Sequence, residues 1–283
     1  MLLAVCSLGG SGCALVRRGA AKAITPVASQ LTDGLMHQGD LDLVREGAPA
    51  FLLVLDALAE AHPDNPTVLV AAAEAQMAYA TGFVATDNPP RAKLMYNKAR
   101  TYGIRALSKN KRFARALEGT SQDAFEDSLR SFKVRDAQAL FTTAASWVMW
   151  IIASADSPVA LGDLPKVMAL IARVRELEPN IRQGGIDMFY GIYYTVLPLG
   201  GGRDLAKAKA HFERSMDIAG PDYLLPRVTY AEFYARYAFD EDLFETTLND
   251  VLAATPTRPE FTLLNSVAKT RAQALLDRME ELF

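Results

Sequence analysis

The 283-residue chain carries 30 basic and 33 acidic side chains, for a net charge of −3, and half of its residues are apolar. That length buries a sizeable core in one large helical domain or two ordinary ones, and the near-neutral balance excludes the basic field of a nucleic-acid binder. Forty-five alanines favour helix. The two cysteines, Cys6 and Cys13, both lie before residue 14, and His37, His62 and His211 are far apart in sequence. No motif for a disulfide, a zinc site or a histidine-assisted nucleophile follows from them, so no catalysis, metal or cofactor is expected.

Taken from the start, residues 1–8 form a short apolar run, followed by Gly-Gly-Ser-Gly-Cys and then Arg17 and Arg18. An apolar run ending in small residues reads as a secretory signal core with its processing site, here over 1–12. Its end on a cysteine resembles a bacterial lipobox, with Ser11 and Gly12 at the two positions before Cys13 and Gly10 in place of the usual leucine. The resemblance implies that Cys13 is the lipidated mature terminus and that 13–25 is a membrane tether. A mis-assigned start or a merely apolar cytoplasmic N-terminus is the competing reading. No later run reaches the roughly 18 apolar residues of a spanning helix. The longest candidate, 137–153, is interrupted by Gln138, Thr142, Thr143 and Ser146.

Residues 26–283 read as one all-α domain, an array of about 11–12 helices. Strand alternation and hairpin signals are missing, and apolar residues recur three or four apart, as in Leu205, Ala208, Phe212, Met216 and Ala219. Helices are expected near 26–38 and 41–61. Four helix pairs follow, 67–82 with 90–107, 136–153 with 163–178, 183–197 with 203–219 and 222–238 with 241–254. A long helix over 259–282 closes the array. The segment 108–135 fits no repeat and reads as an insert with one short helix near 123–131. Asp40, Asp163 and Asp240 stand at N-cap positions. One pattern recurs at second-helix positions: Phe51-Leu55-Leu58-Pro63, Val167-Ile171-Val174-Pro179, Ala208-Phe212-Ser215-Gly220 and Phe244-Leu248-Val251-Pro256. With Tyr190-Gly191-Tyr194 and Tyr230-Ala231-Tyr234 at first-helix positions, these spacings match a tetratricopeptide repeat, whose paired helices bury their faces only against neighbouring pairs.

Few residues offer chemistry. The glycines before Arg203 lack the lysine and preceding strand of a phosphate loop and read as an interhelix connection. His211, among Lys207, Lys209, Glu213 and Arg214, reads as solvated. Two features rise above this background. Aromatics crowd the first helices, among them Trp147, Trp150, Tyr193, Phe233 and Tyr237, of which the last three exceed what the repeat pattern requires. They are candidate walls of a cavity for an apolar or amphipathic small molecule, against the plainer reading of a dry core. Nine of the 30 basic residues lie between 91 and 117 with no acid among them, so the other 21 are left to face all 33 acids. Arg91, Lys98, Arg105, Lys109 and Arg112 are therefore candidates for docking an acidic partner or anionic headgroups, against the plainer reading of a solvated face.

Several local strings accompany the lipobox and the repeats. They are Ala61-His62-Pro63-Asp64-Asn65-Pro66, Tyr79-Ala80-Thr81-Gly82-Phe83-Val84, Ala92-Lys93-Leu94-Met95-Tyr96, Ala145-Ser146-Trp147-Val148-Met149-Trp150-Ile151, Tyr193-Tyr194-Thr195-Val196-Leu197-Pro198-Leu199 and Tyr230-Ala231-Glu232-Phe233-Tyr234. Together they resemble the T-component lipoproteins of TRAP transporters across nearly all of the mature chain. That resemblance implies a periplasm-facing lipoprotein of the cell envelope with a hydrophobic internal cavity. It also implies a homotrimer, association with the solute-binding P-component, and no catalytic residues to carry over. A generic tetratricopeptide scaffold for envelope assembly, with purely structural aromatics, is the alternative.

Overall fold

Side-chain caps placed just before apolar runs start many of the helices. Asp40 accepts from the backbone N–H groups of Asp42 (3.1 Å) and Leu43 (3.0 Å) and opens α1, Leu41–Ala61. Asn65 caps α2, Pro66–Tyr79, and Asn88 caps α3, Pro89–Leu107; in both, proline occupies the first helical turn, where no N–H is needed. The computed structural model describes residues 34–198 and 200–283. The signal region, Cys13, the tether and most of the helix expected over 26–38 lie outside these. The chain continues through α4 (Lys111–Glu118), α5 (Gln122–Leu129), α6 (Ala137–Ile152), α7 (Pro158–Leu161), α8 (Leu164–Leu177), α9 (Ile181–Val196), α10 (Leu205–Ala219) and α11 (Leu225–Thr229). It ends with α12 (Glu241–Ala253), α13 (Thr262–Leu276) and α14 (Met279–Leu282). Wider π turns, Ala80–Val84 and Tyr230–Ala235, prolong α2 and α11. The described residues contain no strand.

The four expected pairs are present: α2 packs on α3, α6 on α8, α9 on α10, and α11 with its π turn on α12. The all-α repeat array therefore stands, with 14 helices among the described residues rather than 11 or 12. Three differences account for the count. The insert 108–135 holds two helices, because Asn110 caps α4 through the N–H groups of Arg112 (3.0 Å) and Phe113 (3.4 Å), and Ser121 caps α5 through Ala124 (3.2 Å). Its Phe113 ring packs 5.5 Å from Phe125 and 5.7 Å from Phe132, all three buried. The short α7 bridges α6 and α8. The closing helix breaks at Asp277 and Arg278 into α13 and α14.

The start of α9 also differs. Arg182, Gln183 and Gly184 take left-handed φ values of 52°, 49° and 83°. A Cβ on Gly184 would stand 2.8 Å from the Ser215 carbonyl oxygen, and one on Gly191 would stand 2.8 Å from the Phe212 ring, so both glycines permit the close α9–α10 crossing. The stretch Pro66–Val84 is long and apolar enough by length and composition to cross a membrane, which corrects the expectation that no later run qualifies. It packs against α1, α3 and α6, as the core helix of an array does.

The last helices return to the first. α13 packs on α11 and α12 and also meets α1. A Cβ on Gly39 would contact Thr262 at 3.5 Å, and one on Gly82 would contact Val267 at 3.9 Å. Arg271 forms an ion pair with Glu232 on the second π turn.

Candidate functional site

The candidate cavity residues fall in two places. Trp147, Trp150 and Tyr193 share the central apolar cluster built from α6, α8 and α9. Phe233 lies on the π turn after α11 and Tyr237 just beyond it, both half-buried. Trp147 is 1% exposed, whereas Trp150 and Tyr193 are half-buried.

Cations cover several of these rings. The Arg100 guanidinium sits 3.9 Å from the Trp150 ring centroid and 5.5 Å from that of Trp147. Asp163 holds it there at 3.5 Å, while also accepting the Trp147 indole N–H (3.2 Å) and the Lys166 ammonium (3.1 Å). Asp163 thus occupies the expected cap position of α8 but spends its carboxylate on these neighbours rather than on the helix. Burial lowers the Arg100 pKa, and the Asp163 charge opposes that shift. Arg203 lies 5.2 Å from the Tyr237 ring and Lys207 5.4 Å from that of Tyr194, whose edge meets Tyr193 at 5.3 Å. Such contacts are worth about 0.5–2 kcal/mol each, more where water is excluded.

His211 is not freely solvated. Its Nδ1 lies 2.8 Å from Asp187, and its ring stacks on Tyr190 at 5.1 Å and on Tyr194 at 5.7 Å. Arg214 donates to the other Asp187 oxygen at 3.1 Å. Asp187 is buried and lies 24 residues before His211, a separation at which no local spacing rule operates. Burial raises the Tyr190 pKa, and burial likewise pushes that of Tyr230 up to about 12, so both phenols stay neutral at physiological pH. The Tyr230 and Tyr234 rings stack at 4.9 Å.

The basic stretch meets acids from α1 and its neighbours. Lys98 pairs with Asp56, Arg105 with Glu60 at 2.8 Å, Lys109 with Asp64, and Arg112 with Asp127 at 2.8 Å. Asp56 also accepts from the Tyr102 hydroxyl (2.9 Å) and Gln76 (3.1 Å), tying α1 to α2 and α3. Burial, followed by the Asp56 hydrogen bond, raises the Tyr102 pKa. Arg91 is exposed at the start of α3. The charge surplus of 91–117 is thus largely met by acids of this same chain, which sequence counting does not reveal.

A polar cluster missed by sequence reasoning spans three helices: Glu74 of α2 accepts from Gln138, from Thr142 (2.8 Å) and from Arg182 (2.6 Å). Three left-handed residues aim Arg182 at it.

The family model of the TRAP transporter T-component matches residues 37–283. An uncharacterized protein of Treponema pallidum (strain Nichols) is 25% identical over 275 residues, covering 87% of this chain and 81% of the relative.

Proposed function

Since the chain belongs to the TRAP transporter T-component family, we propose that it serves its uptake system as a non-catalytic docking subunit that holds the solute-binding P-component at the envelope. The family match over almost the whole described chain carries this reading. A lipid at Cys13 tethers the protein on the periplasmic side, and the working form is a homotrimer. Trp150 and Tyr193 in the central cluster, and Phe233 and Tyr237 on and beyond the second π turn, are the two groups of rings offered to an apolar or organic-acid ligand. The half-buried rings of Trp150, Tyr193 and Tyr237, each with a polar tip, support this, since they suit a molecule with one polar end. Arg91, exposed and without an acid opposite it among the ion pairs described, contributes to docking, whereas Lys98, Arg105, Lys109 and Arg112 are engaged by this chain's own acids.

The test is co-purification of the full chain with the P-component of the same TRAP system from detergent-solubilised envelopes, beside a Cys13→Ser variant. The wild type should partition with membranes and bring the P-component with it. The variant should appear in the soluble fraction and still bind. Several acyl chains anchor stably where one does not. Absence of the P-component from the wild-type preparation would overturn the docking role, and membrane retention of the variant would overturn the anchor.

A further inference from the structure

The turn that closes the α11 segment has an unusual occupant. The Asp240 N–H reaches the Ala235 carbonyl at 3.0 Å and the Phe239 N–H reaches the Arg236 carbonyl at 3.1 Å, the paired bonds of a Schellman motif. The residue between helix and exit in this motif adopts left-handed geometry, and glycine is its usual occupant because a Cβ is strained there. Here it is Phe239, at φ 55°. The preceding helix, α10, ends on Gly220 at φ 71°. Phe239 is 79% exposed. The position thus combines a backbone cost with an apolar ring that packing inside the chain does not explain.

We propose that Phe239 is the anchor by which this protein docks a separate protein, one that offers an apolar socket rimmed by basic side chains. The inference rests on the docking-subunit reading and names its contact point. Residues 237–257 hold five acids, Asp240, Glu241, Asp242, Glu245 and Asp250, and no base. The first three are exposed, and with Phe239 they line an open depression over 238–242. An aromatic anchor within a charged rim is how a small contact concentrates its energy, while the rim sets approach rate and partner choice. A second copy of this chain fits poorly, because four cations of its densest basic run are already ion-paired internally. An anionic membrane fits poorly too, since the acids repel its headgroups.

The test measures binding of the full chain to the purified P-component of the same TRAP system by biolayer interferometry, with phosphatidylglycerol vesicles as a second probe. Phe239→Gly removes the ring and installs the residue the turn prefers. It should weaken P-component binding about thirtyfold, the loss typical of an interface hot spot, while the melting temperature holds or rises. Glu241→Lys with Asp242→Lys should slow association and flatten its salt dependence. If wild type binds and Phe239→Gly binds equally well, the anchor is wrong and the docking reading survives. If wild type does not bind at all, both fail. Vesicle binding that disappears with the ring would overturn the proposal in favour of a membrane contact.

Discussion

Replacing Trp147 with alanine separates a packed core from a ligand wall. The side chain is 1% exposed, its N–H donates to Asp163 at 3.2 Å, and Arg100 covers its face at 5.5 Å. Removing a buried tryptophan costs about 3–5 kcal/mol in lost transfer energy and residual cavity. Asp163 keeps Arg100 and Lys166 as donors, so the missing indole bond adds only about 1 kcal/mol. In a domain of this size each kcal/mol moves the midpoint by about 2–4 °C. A thermal melt followed by far-UV circular dichroism should therefore fall by roughly 10–20 °C. Trp150→Ala, at a half-buried position, should cost less than half as much, about 1–2 kcal/mol. A loss under about 1 kcal/mol for Trp147→Ala, accompanied by greater uptake of an apolar fluorescent probe, would refute the packing argument and place Trp147 beside open space.

Lys98→Glu and Arg105→Glu each bring a carboxylate against Asp56 or Glu60 and should lower the urea midpoint by the equivalent of about 1 kcal/mol each, as partly exposed pairs do. Arg91→Glu, which lacks such an acid opposite it among the ion pairs described, should leave the midpoint unchanged; equal losses in all three would show that these pairs do not matter to folding. Gly191→Ala forces a methyl to 2.8 Å from the Phe212 ring. Overpacking of this kind costs about 1–3 kcal/mol, and an unchanged denaturation curve would mean that α9 and α10 shift apart freely.

The sequence carries the helical array clearly because each pair buries one stripe, and a stripe leaves a three-to-four-residue rhythm that needs no partner to be read. The Phe51-Leu55-Leu58 and Phe244-Leu248-Val251 runs both lie where that rhythm puts them. Local caps were readable only where apolar periodicity drew attention to them. Asn110 and Ser121 follow the same chemistry as Asp40, yet their helices are eight residues long and too short to show a period. Contacts across distance were not legible. Asp56 with Lys98, Asp187 with His211 and Glu74 with Arg182 are 42, 24 and 108 residues apart. Their pairing depends on how helices stack, not on any spacing within one. The left-handed start of α9 was hidden for a related reason, since Arg182 and Gln183 are ordinary helix formers and the Ser215 that meets the neighbouring Gly184 lies 31 residues further along the chain.

The return of α13 to the first helices changes how this array bears stress. A stack of helix pairs ordinarily frays from either end, each pair leaving at the cost of one interface. Here the Val267 side chain lies beside Gly82 and Thr262 beside Gly39, while α13 also rests on α12. The described fold is a clasped bracelet rather than an open spring. To free either end of the described array, two interfaces must part together, so local opening is coupled to the whole, and pitch or curvature cannot be adjusted at one pair without straining the clasp.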